Sequence, residues 1–130
     1  MFALDSNTLI YYFKGMGGVA DRLRQCTPSE IGIPIVVLYE IETGIAKSQQ
    51  PQKRRNQLAT LLAAAHVLSF DLAAARQSAE LRAAMETAGM PLGPIDTLIA
   101  GTALACRATL VTNNTREFCR VPGLKLDNWF

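Results

Sequence analysis

Short apolar runs alternate with amphipathic stretches along the whole chain, and clusters of turn residues separate them. "FAL" is a minimal strand candidate, and "SNTLIYYFKG" behind it sets Leu9, Ile10 and Phe13 at helical spacing before glycines end the pattern. "VADRLRQC" reads as a second short helix with Val19, Leu23 and Cys26 on one face. "EIGIP" is a strand ending at Pro34, a residue well suited to a helix's first turn, and "IVVLYEIETGIAKS" follows with an apolar stripe of Val37, Leu38, Ile41 and Ile45. After the polar break "QQPQ", "KRRNQLATLLAAA" reads as a helix with a basic first turn, leading into the strand "HVLSF". Asp71 caps the alanine-rich helix "DLAAARQSAELRAAMETAG", with Gly89 at its C-terminus. "PIDTLIAGTALACRA" is a further helix, small and apolar on several sides; "TLVT" is a strand, "NNTREFCRV" a turn with a short helix, and "LKLDNWF" a last strand at the sheet edge.

Strands of this length alternating with helices predict an α/β fold, a three-layer α/β/α sandwich around a short-stranded parallel sheet. The 130 residues, 49% of them hydrophobic, suit one domain over 1–130 with its own core, and no linker or repeat divides them. No apolar run nears the roughly 20 residues that a bilayer span needs, so the expectation is a soluble cytoplasmic protein with no membrane partner. Cys26, Cys106 and Cys119 are odd in number and widely spaced, which fits neither a disulfide framework nor a zinc site. A net charge of +2 does not identify a nucleic-acid binder, but acids gathered into one pocket would leave the remaining surface more basic than the total.

On that architecture Asp5, Glu40, Asp96 and the "NNTRE" turn all fall near the C-terminal edge of the sheet, where open α/β folds place their sites. Each has a structural reading of its own. Asp5 suits a helix cap, Glu40 the margin of an apolar stripe, Asp96 the positive end of a helix dipole. Asn114 with Glu117 three residues on forms a capping-box pattern, in which Asn114 would contribute on the order of 1 kcal/mol. A common cause for all four is a hard divalent cation, Mg²⁺ or Mn²⁺, which prefers oxygen ligands and can activate water for attack on a phosphodiester. The only histidine is His66, so a two-histidine ribonuclease is excluded, and a Ser or Cys triad would need that same residue. No phosphate-binding glycine loop is present.

"LDSN", "YEIETG", "GPIDTLIAGTA" and "LVTNNTREFCRVPGLKLDNW" together resemble the PIN-domain ribonucleases, specifically the VapC-type toxins of bacterial toxin–antitoxin pairs, over nearly the whole chain. The resemblance implies a PIN-like sandwich and a metal-dependent endoribonuclease that hydrolyses RNA, often a structured one such as tRNA. Carried over by motif, the acids are Asp5, Glu40 and Asp96. Ser6 stands where the family usually has Thr, and with Thr112 it would orient water or phosphate. Many members have Asp two residues after the strand-ending Thr; this chain has Asn114, so either Glu117 or Asn114 completes the site. The resemblance also implies a homodimer, neutralisation by a cognate VapB-type antitoxin, and operator DNA bound only through that complex. Lys47, Lys53, Arg54 and Arg55 are candidates for holding RNA phosphates. Two other readings compete: a phospho-receiver domain, for which no acceptor Asp with a late Lys is evident, and a catalytically inactive PIN-like module that binds protein or RNA.

Overall fold

The computed structural model describes residues 1–130. Five strands form one wholly parallel sheet: β1 (Phe2–Leu4), β2 (Ile31–Pro34), β3 (His66–Leu68), β4 (Thr109–Val111) and β5 (Leu126–Asp127). Their order across the sheet is β3-β2-β1-β4-β5. The chain therefore winds outward from β1 through β2 to β3, then returns across the sheet to β4 on the other side of β1. With right-handed crossovers, that reversal puts the connections before and after β3 on opposite faces. It also makes the gap between the C-terminal ends of β1 and β4 the topological switch point, where the two loops part and leave a crevice.

The helices are α1 (Ser6–Lys14), α2 (Val19–Arg24), α3 (Ile35–Ala46), α4 (Pro51–Leu62), α5 (Leu72–Thr87), α6 (Pro94–Ala105) and α7 (Thr115–Phe118). The central strands hold the core, with Ala3, Leu4, Ile31, Ile33, Leu110 and Val111 almost completely buried. Around them pack Leu9 of α1, Val37, Ile41 and Ile45 of α3, and Ile99, Ala100 and Ala103 of α6. Two to four residues per strand suffice because the central strands are covered on both faces. No helix is long and apolar enough to cross a membrane.

Several element ends differ from the pattern read in the sequence. Helix α4 starts at Pro51, inside the expected polar break, because proline's fixed φ and missing N–H are harmless at a first helical position. Helix α2 stops at Arg24 and leaves Cys26 beyond it. Ahead of β2, Thr27 and Glu30 bracket a single 3₁₀ turn, Pro28–Glu30, in which the Glu30 carboxylate accepts from the Thr27 N–H at 2.8 Å. Helix α5 ends with Ala88 as its cap, and Gly89 follows it in the left-handed region at φ +73°. Helices α5 and α6 lie unusually close: a Cβ placed on Gly101 would come within 1.8 Å of Ser78 Oγ and 2.8 Å of Ser78 Cα.

Candidate active site

Asp5 follows β1 directly and is the N-cap of α1, in an extended conformation. Its Oδ1 accepts from the Thr8 N–H at 2.9 Å, and its own N–H donates to the Val111 carbonyl at 3.2 Å. Thr8 Oγ1 reaches the same carbonyl at 3.0 Å. The start of α1 is thus stitched to the end of β4 across the switch point. Asp5 is only 4% exposed, so capping alone makes a costly place for a charge. One carboxylate oxygen serves the helix; the other makes no hydrogen bond within the protein.

Ser6 is the first residue of α1, and its hydroxyl donates to Oε1 of Glu40. Glu40 sits in the middle of α3, half-buried beside the stripe of Val37 and Ile41. Asp96 is in the first turn of α6, just behind Gly93 and Pro94. Burial pushes its carboxyl above the ordinary value, and the negative charges of Glu40, Asp5 and Glu117 push it further the same way. Three carboxylates, each from a different helical segment, therefore act on Asp96 at the switch point.

Beyond β4 the expected arrangement changes in two places. Asn114 occupies the N-cap position of α7 but makes no side-chain cap hydrogen bond, so the capping box does not form. The reason is Thr112, whose Oγ1 accepts from the Asn114 N–H at 2.9 Å and holds the turn instead. Thr112 is 0% exposed. Its hydroxyl accepts from the backbone and is buried, so in this arrangement it shapes the turn beside the site. Glu117 is paired through Oε2 with the Arg120 guanidinium, which also contacts the Glu117 and Met90 carbonyls at 3.3 and 3.4 Å. Arg120 was not singled out in the sequence, although its i, i+3 spacing from Glu117 was the available signal.

The donor set is all oxygen, with neither His nor Cys. His66 lies exposed on the edge strand β3, its ring Nε2 3.1 Å from the Ser29 carbonyl. No three of the acidic side chains stand close enough together to hold a metal ion as they are. The donors nevertheless suit a hard cation: the negative charge that raises the proton affinity of Asp96 also favours any other positive charge placed beside it.

The PIN domain family model matches residues 2–124. The chain belongs to the PIN-domain family. Within it, this PIN domain is similar over its length to VapC ribonucleases. The tRNA(fMet)-specific endonuclease VapC of Shigella flexneri is 35% identical over 98% of this chain and 97% of its own. Among solved structures, DNA-bound VapBC from Salmonella typhimurium superposes with a TM-score of 0.92 at 33% identity, covering 99% of this chain and 98% of that one. VapBC2 of Rickettsia felis, bound to a DNA fragment from its promoter, gives 0.90 at 32% identity over 99% and 98% of the two chains.

Proposed function

We propose that this VapC-type PIN domain is a cytoplasmic endoribonuclease toxin that hydrolyses RNA with Mg²⁺ or Mn²⁺ and is neutralised by a VapB-type antitoxin. The observation that carries the reading is the convergence of Glu40, Asp5 and Glu117 on Asp96, each delivered from a different segment. Asp5, Glu40 and Asp96 would hold the cation. Glu117 completes the set once its carboxylate turns from Arg120, and it is preferred to Asn114 because a carboxylate is the better ligand for a hard ion. Held there, the cation would supply the Lewis acidity that activates water and offsets negative charge on a phosphodiester. Asp5 is oriented by the Thr8 amide, and Ser6 fixes the rotamer of Glu40, so two of the acids are held before substrate arrives. Ser6 remains the hydroxyl that faces the site.

The names of the relatives support tRNA as the substrate class and an antitoxin complex on operator DNA as the resting state. A homodimer is the expected assembly. The test is cleavage of purified tRNA. Activity should require Mg²⁺ or Mn²⁺, stop with EDTA, and leave 5′-phosphate and 3′-hydroxyl ends because water is the nucleophile. Asp5→Asn, Glu40→Gln and Asp96→Asn should each abolish it while the far-UV circular dichroism stays native. Cyclic 2′,3′-phosphate products, or full activity in EDTA, refute the mechanism.

A further inference from the structure

Beside Glu40 a cavity of about 180 Å³ opens between α1, α3 and α4. Its floor is apolar, formed by Ile10, Phe13 and Ile41, and its rim carries two cations, Lys14 and Arg54. Neither cation forms an ion pair. Arg54 is half-buried and held in place: its Nη1 donates to Gln57 Oε1 at 2.9 Å, and Gln57 Nε2 donates to the Phe13 carbonyl at 3.1 Å. Gln57 thus ties the guanidinium to the end of α1 without neutralising it. A fixed, half-buried guanidinium with free donors is suited to a planar or tetrahedral oxyanion. Glu40 lines this cavity and also belongs to the acidic site, so the two adjoin at that residue.

We propose that Arg54, assisted by Lys14, holds a backbone phosphate of the RNA adjacent to the scissile one, and so sets the register of the strand over the four acids; this rests on the ribonuclease reading above. The arrangement answers a physical difficulty. RNA approaching four carboxylates meets repulsion, and fixed positive charge one phosphate away offsets it where the strand must lie. Arg54 is a positioning residue here, distinct from the acids that face the scissile bond. Gly44, one helical turn beyond Glu40, keeps the cavity mouth open, and a Cβ there would meet nothing within 4 Å.

The experiment measures cleavage of unfractionated tRNA in Mg²⁺ by the wild-type chain, Arg54→Gln, Arg54→Lys, Gly44→Met and, as a control, Arg107→Gln. Tight binding is read separately in an Asp96→Asn background. Arg54→Gln should raise KM about tenfold with kcat nearly unchanged, and lower the salt slope of binding by about one. Arg54→Lys should recover most of the loss, because a phosphate accepts a point charge as well. Gly44→Met should raise KM through bulk alone, with no fall in melting temperature. Arg107→Gln, exposed ahead of β4 at the opposite edge of the sheet, should change KM less than about twofold. If wild type cleaves but Arg54→Gln and Gly44→Met share its KM and salt slope, this inference fails and the cavity serves another partner, such as a protein segment. If wild type cleaves no RNA, the ribonuclease reading fails and takes this one with it.

Discussion

Asp5 caps a helix with one carboxylate oxygen and leaves the other for the proposed cation, and that double capacity explains why a single acidic residue so early in the chain reads ambiguously. The two readings are compatible, because a carboxylate has two oxygens and only one is used by the Thr8 amide. Asn114 shows the opposite case. Its spacing to Glu117 is that of a capping box, yet Thr112 has already taken the first free amide of the turn, and local spacing carries no sign of which neighbour wins. The consequence is measurable by urea unfolding. Thr112→Val should destabilise by about 1–3 kcal/mol, since it leaves a part-buried N–H without an acceptor, whereas Asn114→Ala should cost less than about 0.5 kcal/mol. Glu117→Gln, by contrast, should depress cleavage strongly at little cost in stability. Normal cleavage by Glu117→Gln would remove it from the ligand set and return that role to Asn114.

At the scale of the element, the sequence pattern located every strand and helix core, because the core-facing positions of α3 and the alanine-rich spacing of α5 are long enough for periodicity to register. Ends were less legible. Proline inside "QQPQ" reads as a breaker but begins α4, and the Thr27–Glu30 bracket ahead of β2 lies in a segment with no periodic pattern to mark it. The contact between α5 and α6 was beyond reach, since it depends on which small residues meet across a gap. Gly101 allows Ser78 to approach, but the Ser78 hydroxyl ends up buried with no hydrogen-bond partner. Ser78→Ala should therefore be neutral or stabilise the chain by up to about 1 kcal/mol, because it removes a desolvated donor. Gly101→Ala should destabilise by about 1–3 kcal/mol, since the new methyl meets Ser78 backbone as well as its side chain. A more stable Gly101→Ala in urea would mean that the two helices separate readily and the close approach is unimportant.

For the whole molecule, the reversal of strand order at β1 brings acids from distant parts of the chain to one edge, and concentrates there four of the eleven Asp and Glu against thirteen Lys and Arg overall. The sequence disclosed the acids and the edge; the extent of their mutual repulsion is a property of the folded chain alone. That repulsion works against folding. Asp96 binds its proton more tightly in the folded state than in the unfolded one, where the ordinary value is 3.8. As pH rises from 3.8 through the raised folded value, the folded state holds more protons than the unfolded, so this group's contribution to stability falls. Two acids work in the other direction at lower pH. Glu30 is held low by the Thr27 amide, and Asp127, despite its burial, by Trp129, Asn128 and Arg22. The informative quantity is therefore the difference between Asp96→Asn and wild type. Without metal, the variant should melt higher at pH 7, and its advantage should shrink as pH is lowered towards 4 and the wild-type carboxyl takes up its proton. Adding Mg²⁺ at pH 7 should raise the wild-type melting temperature, as any ligand confined to the folded state does, by the equivalent of about 2.7 kcal/mol at a hundredfold excess over Kd. The same addition should move Asp96→Asn much less, because one negative ligand and part of the repulsion are already gone. Equal shifts in the two proteins, or an Asp96→Asn advantage that does not depend on pH, would mean that the acids neither repel one another nor share a cation.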